Sequence, residues 1–146
     1  MTLRFLLDTN IVSEPLRPAP DPAILGHLRR HRTEVAIPAI VWHELWFGCW
    51  RLPASARRTA IEHYLRHVVG PTLPILPYDA RAAAWHSAER ARLASLGHTP
   101  AFADGQIAAI AHTNDLILVT RNIADFVFFE GLRITSWQDM PAEDQP

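Results

Sequence analysis

A chain of 146 residues, 49% hydrophobic, with a formal charge of −1 and a sequence pI near 6.7, has the size and balance of one globular domain with its own core. The near-neutral charge excludes a globally basic nucleic-acid binder, so any such contact needs a local basic patch. A single cysteine, Cys49, excludes an intrachain disulfide and fits a reducing cytoplasm. No apolar run approaches the ~20 residues of a membrane span, and Met1 leads so directly into a core-type strand that no signal peptide is expected.

Phe5-Leu6-Leu7 is an unbroken apolar run of the kind a parallel strand covered on both faces shows. It ends in Asp8-Thr9-Asn10, residues that favour turns and helix caps. Four prolines (Pro15, Pro18, Pro20, Pro22) leave room only for a short helical turn before Pro15. Asp21-Pro22 then predicts the N-cap and first residue of a helix carrying Ile24, Leu25 and Leu28, closed by the basic run Arg29-Arg30-His31-Arg32. Val35-Ala36-Ile37 predicts a second buried strand, stopped by Pro38. The helix predicted from Ala39 to Arg51 is apolar almost all round. Trp42, Trp46 and Trp50 form one stripe, with Ile40, Glu44 and Phe47 on the far side, so two covered faces are expected. The tryptophan stripe serves either as core or as a partner surface.

Ser55 predicts the cap of a helix with Ile61, Tyr64, Leu65 and Val68 at helical spacing, ended by Gly70-Pro71. Pro74 to Pro77 predicts a brief edge strand. Asp79 caps an alanine-rich helix running to Leu96 and stopped by Gly97. Pro100 opens a helix containing Asp104, Ile107, Ala108, Ile110 and Ala111. Asn114-Asp115 breaks it before the clearest buried strand, Leu116 to Val119. Thr120 to Phe126 leaves that strand much as Asp8 to Asn10 leaves the first, and Leu132-Arg133-Ile134 predicts a last strand. Strands alternating with helices predict a three-layer α/β/α sandwich with a mainly parallel central sheet, one domain over residues 1–138 and a loose tail at 139–146.

Few acids fall in apolar surroundings, and those few carry the chemistry. Asp8 ends a strand, Glu44 sits on the all-apolar helix, Asp104 lies in the first turn of an alanine- and isoleucine-rich helix, and Asp125 follows the last long strand. Carboxylates are almost never buried without a partner. The chain has no lysine, and its arginines mostly fall on amphipathic helix faces, which leaves a metal as the natural cation. Hard oxygen ligands select Mg²⁺, with Mn²⁺ as the substitute. If Asp8, Glu44, Asp104 and Asp125 converge, repulsion raises at least one pKa in the metal-free protein. Such a site activates a bound water and clamps a phosphodiester. Taken singly, Asp8 is also explained as a helix cap, Asp104 as a first-turn acid favoured by the helix dipole, and Asp125 as a loop acid.

Four segments, in order, resemble the successive motifs of PIN-domain proteins, and more narrowly the VapC/FitB-type toxins of bacterial toxin–antitoxin pairs. They are Leu6 to Glu14 (LLDTNIVSE), His43-Glu44-Leu45, Ala103 to Ala109 (ADGQIAA) and Val119 to Phe126 (VTRNIADF). The resemblance spans Leu3 to Trp137. It implies a Mg²⁺-dependent endoribonuclease whose acids are Asp8, Glu44 and Asp104, with a fourth in the segment after Thr120. In that family the fourth acid often follows the Thr-Arg pair directly, where this chain has the neutral Asn122; Asp125 is the substitute, acting through water. One metal site at Asp8 and Asp104 is therefore expected to be primary, with Glu44, Asp125 and Asn122 contributing to a weaker second. Thr9 and Thr120 are expected to orient carboxylates or water, or to serve simply as turn and cap residues.

The resemblance also implies an RNA substrate, a homodimer, a cognate VapB-like antitoxin that covers the acidic pocket, and DNA contact only through that antitoxin. Trp42, Trp46 and Trp50 are the candidate surface for one of those interfaces. Arg29, Arg30 and Arg32, and separately Arg51, Arg57 and Arg58, are candidate phosphate patches. The i,i+4 pairs His27/His31 and His63/His67 are expected to be solvated, and Cys49 a packed thiol. The alternative function is a catalytically weak or inactive partner in a DNA-bound antitoxin complex that regulates transcription. An aspartyl-nucleophile phosphatase is disfavoured, because that chemistry wants a second acid two residues after Asp8, where Asn10 stands.

Overall fold

Each strand is a short β-branched or leucine-rich run, and polar turns follow those that end at Leu7 and Val119. In the computed structural model, which describes residues 2–138, these runs become β1 (Phe5–Leu7), β2 (Val35–Pro38), β3 (Ile75–Leu76), β4 (Ile117–Val119) and β5 (Ile134–Thr135). The tail expected at 139–146 lies outside the described residues. All strands pair in parallel, in the order β3-β2-β1-β4-β5. Phe5 stands level with Val35 on one side and Ile117 on the other, and Leu7 with Val119. Every residue of β1 is buried, as a central parallel strand covered on both faces requires. The three-layer α/β/α expectation holds, and the sheet is wholly parallel.

The crossovers are α1 (Thr9–Val12), α2 (Pro22–Arg30), α3 (Ala39–Trp50), α4 (Ala56–Tyr64), α5 (Gly70–Thr72), α6 (Ala80–Ser95) and α7 (Phe102–Thr113). Local caps set several of their starts: the Asp21 carboxylate accepts the Ala23 N–H at 2.8 Å, and that of Asp79 accepts the Ala82 N–H at 2.9 Å. β3 lies at the sheet edge, where its flanking prolines withhold no ladder bond that the fold needs. Gly70-Pro71 does not end the helix from Ser55, as expected. That helix passes through a π-type turn at Leu65–Val69 and continues as α5. The Gly70 N–H donates to the Leu65 carbonyl, so the turn that holds Pro71 is joined to the helix before it.

Two expectations fail for non-local reasons. The helix α3 is not covered all round: Val41, Leu45 and Cys49 are its buried stripe, while His43, Glu44 and Phe47 face solvent. Trp42 and Trp46 pack at the core margin, and Trp50 is exposed. The chain's own arginines cover much of the tryptophan stripe: Arg66 lies over Trp46 at 5.0 Å, and Arg58 over Trp50 at 5.1 Å. His27 and His31 are buried rather than solvated, stacked on Trp137 with ring centroids 5.1 and 5.5 Å away. His63 and His67 are exposed, and the Cys49 thiol is buried, as expected.

Candidate active site

The order β3-β2-β1-β4-β5 reverses direction between β1 and β4, and in open parallel sheets that switch point opens a crevice at the carboxyl ends. Asp8 directly follows β1 and Thr120 directly follows β4, so the fold brings together two residues that lie 112 positions apart. Asp8 N–H donates to the Val119 carbonyl at 3.0 Å, which keeps the two strand ends in step. The Thr120 hydroxyl, fully buried, donates to Asp8 Oδ2 at 2.8 Å and accepts the Asn122 N–H at 3.0 Å. The Thr9 N–H donates to Asp8 Oδ1 at 2.8 Å, so Asp8 caps α1 while its carboxylate is held in one orientation. Thr9 acts through its backbone, Thr120 through its side chain.

Asp104 comes to the same place from the first turn of α7. A helix N-terminus favours negative charge, yet the Asp104 carboxyl is pushed up to about 6, first by burial and then by Asp8 and Asp125. Asp8 is raised as well; burial outweighs the two hydrogen bonds that favour its charged form, and Asp125 adds to the rise. Asp8 and Asp104 therefore each feel a neighbouring carboxylate. Among the described residues, no hydrogen-bond donor or cation is recorded on the Asp104 or Asp125 carboxylates. No three His, Cys, Asp or Glu side chains among them stand close enough to grip one ion jointly.

Asp125 and Asn122 are exposed on the turn after β4, where Asn122 opens a 3-10 turn spanning Ile123–Asp125. Glu44 is exposed on α3. It lines a cleft of ≈ 560 Å³ together with Thr9, Ser13, Arg17, Arg51 and Arg57. Of the expected phosphate patches, Arg51 and Arg57 thus border the cleft that Glu44 and Thr9 line. Arg29 and Arg32 border a separate, largely apolar cleft near Leu25, Leu28 and Tyr64.

Sequence reasoning did not single out Glu14. It is fully buried and accepts from Arg121 at 2.8 Å, from Arg17 at 3.3 Å and from the Asp21 N–H at 3.1 Å. Two arginines and a backbone N–H satisfy this acid, so burial alone does not mark a carboxylate of this chain as a metal ligand. Its one sequence signal is its place in the LLDTNIVSE segment. The bond to Arg121 ties the turn after β4 to the turn after α1, bracing both sides of the crevice that Asp8 and Thr120 form.

Residues 5–126 match the family model described as PIN domain. The chain belongs to that family. Toxin FitB of Neisseria gonorrhoeae is 33% identical over 137 residues, covering 92% of this chain and 99% of that protein. VapC ribonuclease Y4jK of Sinorhizobium fredii is 34% identical over 124 residues, covering 83% and 89%. Among solved structures, DNA-bound VapBC from Salmonella typhimurium superposes with a TM-score of 0.79 at 30% identity, covering 92% of this chain and 98% of that one. This PIN domain places its buried strand-end acid, Asp8, at the point where the sheet topology reverses.

Proposed function

We propose that this PIN-domain protein is an endoribonuclease toxin that depends on a divalent cation, Mg²⁺ or Mn²⁺, and is neutralised by a cognate VapB-like antitoxin. The observation that carries the reading is the pair Asp8 and Asp104: two acids at a sheet switch point, both raised in pKa and held without a protein cation. Such a donor set of hard oxygens fits Mg²⁺, which is commonly bound by one or two carboxylates with water filling the remaining positions. When bound, the ion supplies an activated water and charge stabilisation at the phosphodiester.

The chain's own residues do the positioning. Asp8 and Asp104 hold the ion, and Thr120 with the Thr9 N–H keeps the Asp8 carboxylate aimed. Asp125 and Asn122, on the exposed lip, contribute to a weaker second site, and Glu44 approaches from α3. Arg17, Arg51 and Arg57 border the adjoining cleft, where they contact RNA phosphates without reading sequence. In this reading the protein works in the cytoplasm. Among the described residues, no helix is long and apolar enough to cross a membrane. The exposed end of the aromatic stripe, Trp50 beside Phe47, is the part of α3 left for an antitoxin or for the second copy of a homodimer. DNA reaches the assembly only through the antitoxin.

The test is cleavage of defined RNAs by the isolated protein with and without Mg²⁺, alongside Asp8→Asn. Cleavage that requires Mg²⁺ and is lost in the variant is the expected result. Cleavage that survives Asp8→Asn removes the assigned site. The exposed, neutral Asn122 favours one second reading, a catalytically weak or inactive partner within a DNA-bound regulatory complex. In its inactive form that partner cuts no RNA at any Mg²⁺ concentration.

A further inference from the structure

Asp104 and Asp125 also line a second cleft, of ≈ 350 Å³, whose other walls include His98, Thr99, Pro100 and Phe128. His98 and Phe128 stack on one another with ring centroids 4.2 Å apart and planes inclined at 25°. Phe128 is 45% exposed, although its neighbours Phe126 and Phe129 are buried in the core. A single exposed phenylalanine is ordinary. What distinguishes this one is the support beneath it.

The turn that carries Phe128 is clamped from α6. Glu89, buried, accepts the Glu130 N–H at 2.7 Å and binds Arg92 through both carboxylate oxygens, at 2.7 and 2.9 Å. Arg92 in turn donates to the Phe128 carbonyl at 2.9 Å. On the other side, Gly97 adopts a left-handed φ of 82°, and the His98 N–H donates back to the Leu93 carbonyl at 2.8 Å. That turn ends α6 and sets His98 against Phe128. The rings are thus presented to solvent from fixed backbone, so little ordering entropy remains to be lost when a ligand stacks on them.

We propose that His98 and Phe128 form a base-stacking platform, which holds one unpaired nucleobase of the substrate strand next to the phosphodiester offered to Asp8 and Asp104. The inference rests on the ribonuclease reading above. Its support is that one cleft joins the ring pair to two of the acids, so a strand whose phosphate sits at the acids brings a neighbouring base to the rings. Stacking on aromatic and histidine rings is the common way proteins hold unpaired RNA bases, and it tolerates any base because each has a π-face.

Single-stranded RNAs carrying 2-aminopurine at successive positions test it, using the cleavage-blocked Asp8→Asn protein. Binding is expected to quench the fluorophore at one position. Adding Phe128→Ala is expected to restore emission and weaken binding about 5- to 100-fold, and in the otherwise wild-type protein to raise KM by the same factor. Phe128→Trp is expected to keep both signals, and Val127→Ala, on the same turn, to leave both unchanged. If Phe128→Ala proves unfolded by circular dichroism, His98→Ala carries the same comparison. Unchanged quenching and KM in the alanine variants overturn the platform and leave the nuclease reading standing. Absence of RNA cleavage by the wild-type protein overturns both. Normal RNA binding with loss of a co-purifying protein assigns the rings to protein docking and overturns the proposal.

Discussion

Replacing Asp104 by asparagine is expected to stabilise the ion-free protein while abolishing its activity. The Asp104 carboxyl titrates near 6 instead of 3.8, because burial, Asp8 and Asp125 all oppose its charge. A folded-state pKa above the unfolded one means that the native state binds the proton more tightly. Stability therefore falls as pH rises from about 4 through about 6, and the whole penalty is present at pH 7.5. A rise of about two units corresponds to about 3 kcal/mol. Asp104 is partly exposed, so solvent screening reduces that figure to about 1–2 kcal/mol. Asparagine keeps the volume and removes the charge. In EDTA, thermal melts followed by circular dichroism are expected to show Asp104→Asn melting about 3–8 °C above wild type at pH 7.5, and at almost the same temperature at pH 4. Added Mg²⁺ is expected to raise the melting temperature of the wild type much more than that of the variant, because only a protein that binds the ion when folded gains stability from it. A variant equally shifted at both pH values, or less stable at pH 7.5, would refute the claim that repulsion and burial oppose this charge.

Thr120→Val keeps the shape of the buried side chain and deletes the hydroxyl that donates to Asp8. It is expected to fold, to lose about 1–2 kcal/mol at neutral pH, and to need at least about tenfold more Mg²⁺ for half-maximal cleavage, read from metal titrations of the cleavage rate. Gly105→Ala is expected to cost about 1–3 kcal/mol or more in urea unfolding. A Cβ there would fall 2.7 Å from His86 Cδ2 and closer still to Nε2, and His86 is itself buried and held by Tyr78 at 2.8 Å.

Features that depend on neighbours in sequence were legible from the residues alone. The Asp21-Pro22 start, the Asp79 cap and the break at Asn114-Asp115 each follow from the chemistry of one or two side chains. At the break, Asp115 takes the positive φ of 56° that ends α7. Features set by distant partners were not legible. Nothing in the spacing of His27 and His31 distinguishes a solvated pair from a buried one; Trp137, from the other end of the chain, covers them. The outward turn of α3 was hidden for a similar reason. A helix with tryptophans on one flank and leucine, valine and cysteine on another looks apolar on all sides, yet only Val41, Leu45 and Cys49 are buried, Arg58 and Arg66 from further along the chain lie over Trp50 and Trp46, and His43, Glu44 and Phe47 face solvent.

Asp8 and Glu14 lie six residues apart at the same end of the sheet, both buried, and composition alone gives no ground for treating them differently. The structure separates them by their partners. Glu14 holds two arginines and a backbone N–H, so its charge is compensated within the chain. Among the described residues, Asp8 receives two neutral donors, Thr9 N–H and the Thr120 hydroxyl, and faces Asp125 and Asp104. Hydrogen bonds from neutral groups orient a carboxylate more than they offset the cost of its burial. The uncompensated charge is therefore concentrated at Asp8 and Asp104, while the Glu14–Arg121 pair next to it braces the crevice. That contrast, one acid held by arginine and the next with no cation from the described residues, is the physical basis on which the proposed metal site at the end of β1 rests.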